Sequence, residues 1–290
     1  MKKIISFILV AVMIVTVIFS FASCGNDSII VQTNAFFAPF EYYDGNNIVG
    51  VDVEIMAKVG EKLGKKVQFD NVSFSAIIDN VKEGKVCDAG AAGITVTDSR
   101  KEKVDFSTPY YTSIQYVILP VDSTLETKKG ADGAEYMVWE ALAGKKIGVQ
   151  MDTTGYIYTD GEINATEADE SYGYDGVLYG TGTTCTPFST AQLAADAITA
   201  NQIDAVIIDE LPAQFIVSKN DKFKCVPLYY AGETDAEDAP VMEEYAICVT
   251  KGNTELLNAI NEVLADLMVE DENGVSAIEK MVMKHMGMEQ

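Results

Sequence analysis

Hydrophobic and polar positions change period repeatedly along this chain, and those changes outline its elements. The apolar run at residues 29–33 predicts a strand, followed at 34–41 by an aromatic loop containing Pro39. Val53, Met56, Ala57 and residues 59–63 then recur at helical spacing, and Gly64 is placed to stop that helix. A strand at 67–72, a helix at 74–81 closed by Gly84, and a strand at 86–90 continue the alternation. Residues 110–119 form a long β-rich run ended by Pro120, and 122–133 are polar and turn-rich. Strands and helices then alternate again: strand 145–150, helix 191–200, strand 203–209, helix 211–217 and strand 223–230. Between them, residues 160–182 are rich in Gly, Tyr and acidic side chains with no apolar period, which predicts a solvated loop insertion. Residues 231–239 form a second acidic loop, 244–250 return as a strand, and 254–268 and 277–286 read as helices.

Such alternation predicts an α/β protein that binds ligands at the carboxyl ends of its strands. Two extended crossings, at 110–114 and 243–245, join two α/β units. The expected architecture is a two-lobed clamshell with a two-strand hinge, able to close over a ligand. Residues 29–109 and 246–290 would form the first lobe, and 115–242 the second.

Charge and the N-terminus narrow the setting. Lys2 and Lys3 precede an almost unbroken apolar run at 4–21, so residues 1–23 read as a secretion signal. The ending Ala22-Ser23-Cys24 resembles a bacterial lipoprotein signal, with Cys24 lipidated as the mature N-terminus and Phe21 an unusual lipobox residue. A formal net charge of −23 argues against nucleic-acid binding and against adhesion to anionic lipid. The expectation is an extracytoplasmic, monomeric protein anchored to the cell membrane by lipid. Cys87, Cys185, Cys225 and Cys248 match no zinc spacing, and the single histidine, His285, sits among methionines in a terminal helix, so neither metal nor cofactor is expected. Cys225 and Cys248 lie in strand-like runs, which leaves a disulfide or free buried thiols open.

The chemistry concentrates at residues 88–100. A small, apolar strand end leads to Thr97, a good N-cap, with Asp98 in the first turn and Arg100 after it. Backbone N–H groups, the Thr95 hydroxyl and a guanidinium around one point would suit a carboxylate; an ordinary turn with Arg100 on the surface is the other reading. Asp209, ending the strand at 203–209, is either a helix cap or a counter-charge. Phe37 and Phe74 are either pocket walls or core aromatics.

These residues carry a resemblance. Ala38-Pro-Phe-Glu41, Gly50-Val-Asp52, residues 92–100, residues 105–111, Gly148-Val-Gln150 with Thr153-Thr-Gly155, and residues 204–209 occur in one order over essentially the whole mature chain. Together they resemble the solute-binding proteins for polar amino acids that serve ABC importers, such as the glutamine- and histidine-binding proteins, with a type II periplasmic-binding-protein fold. The resemblance implies that Arg100, Thr95, Thr154 and the backbone at Gly93 hold a ligand α-carboxylate. Asp209 and a carbonyl near Ala92 would accept the α-ammonium, Phe37 and Phe74 would flank the side chain, and Asn34, Gln150 and Thr153 would face its far end or the rim. It also implies an ABC permease and ATPase as partners. A neutral Asn34, where relatives often carry an acid, favours a polar neutral ligand over Lys or Arg. An enzyme on the same scaffold, similar to the cyclohexadienyl dehydratases, would need an acid or base such as Glu41, Asp209 or Glu210. An extracytoplasmic sensor would need a spanning helix after the clamshell.

Overall fold

The computed structural model describes residues 28–169 and 172–288, so the leader and Cys24 lie outside the described residues. The chain opens with β1 (Ser28–Thr33), a ribbon of β2 (Phe36–Phe37), β3 (Glu41–Asp44) and β4 (Asn47–Val49), and helix α1 (Val51–Leu63). Gly64 ends α1 at φ 64°, where a side chain would be strained. There follow β5 (Lys66–Asn71), α2 (Phe74–Glu83), β6 (Ala89–Gly90), the single turn α3 (Asp98–Lys101) and β7 (Asp105–Phe106).

β8 (Tyr111–Pro120) crosses into a second lobe. That lobe holds β9 (Lys128–Lys129), β10 (Glu135–Val138), β11 (Lys146–Gln150), α4 (Thr154–Asn164), β12 (Thr184–Phe188) and α5 (Ala191–Thr199). β13 (Ala205–Asp209), α6 (Glu210–Ser218), β14 (Phe223–Tyr230) and β15 (Ala239–Pro240) complete it. β16 (Met242–Tyr245) returns to β17 (Cys248–Val249), α7 (Thr254–Leu267) and α8 (Ala277–His285).

The first sheet runs β5-β1-β6-β17-β7, so a strand from the far end of the chain lies inside it. The second runs β12-β11-β13-β8-β14-β10-β9. β16 lies antiparallel along the start of β8, with Tyr245 opposite Tyr111 and Met242 opposite Ile114. The two crossings are thus one hydrogen-bonded ribbon. β1, β11 and β13 carry their site residues at or just beyond their carboxyl ends, as doubly wound sheets do.

Several expectations need correction. Residues 160–182 are not a solvated loop throughout: α4 continues to Asn164, Glu162 is buried, and Leu178 is 1% exposed in the second core. The buried face of α4 consists of Thr154, Gly155, Thr159, Gly161 and Glu162, small or polar residues that leave no apolar period to read. Only Ala89–Gly90 of the strand expected at 86–90 is paired. The stretch after 133 supplies β10 and a 3₁₀ turn, Trp139–Leu142, whose Trp139 is fully buried. Cys225 and Cys248 are free, and they belong to different sheets. Among the described residues no helix is long and apolar enough to cross a membrane.

Candidate functional site

All eleven residues singled out from the sequence line one cavity between the lobes, and Glu41 joins them. The cavity is nearly closed, with about 10 Å³ of free space, about the room one water needs.

Arg100 reaches this cavity because Thr97 starts α3. The Thr97 hydroxyl accepts from the Arg100 N–H at 3.2 Å, the capping contact its position predicts. The side chain is 7% exposed, which rules out the surface reading. Nη1 donates to the Thr95 carbonyl at 2.8 Å and Nη2 to the Asp152 carbonyl at 2.9 Å. The guanidinium lies 5.4 Å from the Phe74 ring centroid. Arginine has five N–H donors in a fixed fork, so these two contacts orient the group without exhausting it. Burial lowers its pKa, an effect opposed by Glu243 and Asp209.

Asp209 ends the fully buried strand β13, and its side chain makes no cap bond to α6. Its oxygens accept from Gln115 Nε2 and Tyr245 Oη instead. Gln115 Nε2 also donates to Glu243 Oε1 at 3.1 Å, Thr154 Oγ1 donates to Glu243 Oε2 at 3.1 Å, and the Thr95 and Thr154 hydroxyls are 3.4 Å apart. A buried polar chain therefore runs from Asp209 through the crossing strands to Thr95. Burial first, and the Glu243 charge second, raise the pKa of Asp209; burial also raises that of Glu243.

Asn34, Gln150 and Thr153 form the opposite side. Asn34 Nδ2 donates to the Val72 carbonyl at 2.7 Å, and its Oδ1 accepts from Gln150 Nε2 at 3.1 Å. Gln150 Oε1 accepts from the Ala191 N–H, and Thr153 caps α4 by accepting from Tyr156 N–H. Phe37 serves both of its readings, lining the cavity and packing with Phe40 and Tyr245. Gly93 donates its N–H to Asp52 Oδ2 at 3.0 Å. Its φ is +52°, and an added Cβ would meet the Phe37 ring at 2.6 Å.

Three buried groups at the site were missed as site residues, Asp52, Gln115 and Glu243, and Glu41, named only as a candidate acid or base for an enzyme, is buried with them. Glu41 receives no hydrogen bond from an N–H or hydroxyl group, and its carboxyl shares a hydrogen bond with Asp52. Burial, then the neighbouring Asp52 and Asp209, raise its pKa well above the usual range. Asp52 is pushed up to about 6 by burial, against the hydrogen bonds from Tyr110 and Gly93. A usable signal for Glu243 existed, since β16 alternates exposed and buried and groups Glu243 with Tyr245.

A family model described as bacterial extracellular solute-binding proteins, family 3, matches residues 29–278. The chain is 27% identical over 250 residues to the arginine-binding extracellular protein ArtP of Bacillus subtilis, covering 86% of this chain and 83% of that one. It is 24% identical over 242 residues to the L-cystine-binding protein TcyJ of Escherichia coli, covering 83% and 77%. The structure of holo ArgBP from T. maritima matches with a TM-score of 0.66 at 30% identity, over 88% of this chain and 96% of that one. The fold is the two-lobed α/β type II clamshell expected from the strand–helix pattern. With the family model spanning nearly every described element and the fold shared throughout, the chain belongs to the bacterial extracellular solute-binding proteins of family 3.

Proposed function

We propose that this protein is an extracytoplasmic receptor that binds a polar α-amino acid between its lobes and delivers it to an ABC importer. The observation that carries the reading is the presence of Arg100, from the first lobe, and Asp209, from the second, on one cavity wall. A zwitterion taken from water needs a partner for each charge, because an unpaired buried charge is costly. Arg100 with the Thr95 and Thr154 hydroxyls suits the carboxylate. Asp209, with carbonyls near Ala92 and Gly93, suits the ammonium. Phe37 and Phe74 would flank the side chain, and Asn34, Gln150 and Thr153 would bound its far end. The relatives named as binding arginine and L-cystine support an amino acid as the ligand class.

In this reading residues 110–114 and 243–245 are the hinge between lobe 1 (29–109 and 246–290) and lobe 2 (115–242). Lipidated Cys24 holds the monomer at the membrane beside its permease. A thermal-shift screen of the natural amino acids, followed by calorimetry on the hits, tests the proposal. A ligand should raise the melting temperature through linkage and be recovered chemically unchanged. No shift with any amino acid would overturn it.

A further inference from the structure

We infer that the amino edge of the first lobe is a membrane-resting face, whose lysines sit on the anionic headgroups of the bilayer that holds the chain. It rests on the anchor proposed above, lipid on Cys24, and adds the surface that this anchor turns toward the bilayer.

Chain length sets the distance. Cys24 precedes Ser28 by four residues, and Ser28 opens β1. Four residues span at most about 14 Å, so a lipid on Cys24 keeps the start of β1 within about two Debye lengths of the headgroups at physiological salt. The parallel register places Lys66 beside Ser28, with Lys65 just before it. Lys62 lies in the last turn of α1, which ends at the same edge. Lys82 lies in the last turn of α2 and Lys85 follows it; the Thr250 hydroxyl donates to the Val81 carbonyl at 2.6 Å, which brings Lys251 alongside. These lysines come from three separate segments, and all are exposed. The cavity lies at the other end of the strands, since Asn34 follows β1 and Phe74 follows β5. β11 likewise starts at Lys146 and reaches the cavity at Gln150, so Ser28 and Lys146 mark opposite poles of the molecule.

Charge distinguishes the poles. Over residues 115–242 acidic side chains outnumber lysines about three to one, so an anionic surface repels the second lobe. The balance at the amino edge is different. Glu262, Glu255 and Glu83 pair with Lys62, Lys65 and Lys85, and Asp88 and Asp105 accept from the Ile30 and Gly252 N–H groups. Glu61 is the other acid there. Lys66, Lys82 and Lys251 make no ion pair among the described residues, and lysines held near an anionic leaflet are drawn to it. Val86, 57% exposed, adds an apolar side chain at the same level. The net charge of −23 opposes adhesion of a free chain. A tethered chain need only choose which side it turns to the bilayer, and the amino edge is repelled less than the second lobe. In that orientation the second lobe points outward, and the cavity stands roughly 20 Å, one strand length, beyond the resting face.

Lysine acetylation read by mass spectrometry tests this on the full chain, extracted from membranes and reconstituted on vesicles of phosphatidylcholine, alone or mixed with phosphatidylglycerol. The N-terminal peptide should carry lipid on Cys24. Lys66, Lys82 and Lys251 should react at least about threefold more slowly on the anionic vesicles than on the neutral ones. Lys146 and Lys222, exposed in the second lobe, should react alike on both. Salt at about 1 M, which shortens the Debye length to about 3 Å, should abolish the contrast. The triple variant Lys66→Glu, Lys82→Glu and Lys251→Glu should keep its lipid and its melting temperature and lose the contrast. Lipid on Cys24 with equal reactivity on both vesicles would overturn the inference alone. Equal protection of the same lysines on neutral vesicles, the mark of contact between copies, would do the same. Cys24 without lipid would overturn the anchor reading and the inference with it.

Discussion

The Arg100 guanidinium is held from both lobes, by the Thr95 carbonyl at 2.8 Å and the Asp152 carbonyl at 2.9 Å. Asp152 presents that carbonyl from a left-handed backbone, φ 61°, which non-glycine residues adopt at a cost. Asp152→Gly should leave stability unchanged or raise it by up to about 1 kcal/mol. Asp152→Val should lower it by about 1–2 kcal/mol and weaken ligand binding, since the carbonyl that orients Arg100 would move. Melting curves and calorimetry on the pair check both signs.

Arg100→Ala should weaken amino-acid binding by roughly 2–5 kcal/mol, the range for truncating one partner of a buried charge pair. Arg100→Lys should recover only part of the loss, because it keeps the charge without the planar fork. Wild-type affinity in Arg100→Ala would remove Arg100 from the site.

Buried Asp52 makes stability depend on pH. Burial pushes its carboxyl up to about 6 in the folded chain, against an ordinary value of 3.8. The folded state therefore binds more protons than the unfolded state across that interval, and stability falls as pH rises through it. The associated loss is on the order of 3 kcal/mol, fully felt above the folded pKa. Urea denaturation from pH 3 to 8 should show this decline, and Asp52→Asn should remove only its own part, because the raised carboxyls of Glu41, Asp209 and Glu243 lose stability in the same direction.

Gly93→Ala should be destabilising by about 1–3 kcal/mol, since the new methyl meets both a left-handed backbone and the Phe37 ring. Displacing Phe37 should also reduce ligand affinity. Calorimetry at a temperature where the variant remains folded separates the two effects.

Leu178→Ala tests the correction to the segment at 160–182. A buried leucine in the second core should cost about 2–5 kcal/mol on truncation. A change within about 0.5 kcal/mol, the usual range for surface positions, would restore the solvated-loop reading.

Much of this fold was legible because strands buried on both faces write themselves as branched apolar runs, as β13 does with Ala205–Asp209. The first half of the site was legible for a local reason: Thr97 caps the turn that carries Arg100. What escaped depended on distance in the chain. Gln115 meets Asp209 through the pairing of β8 with β13, and Glu243 reaches Thr154 because β16 lies along β8. No local period encodes those registers. Residues 154–164 escaped for the opposite reason, since the face α4 buries is too small and polar to produce a helical stripe.

The position of β17 has a consequence for the order of folding. Among the described residues β7 pairs only with β17, and β6 has β17 on its second edge. The second lobe is continuous in sequence apart from the ribbon it shares, so a chain made from its N-terminus can assemble that lobe while the first still lacks an inner strand. Closing the first sheet requires a contact between Ala89 and Val249, spanning the entire second lobe. Such non-local pairings are slow to form. The first lobe is therefore begun first and finished last, and its unpaired edges are the surface most exposed to misassociation in the interval.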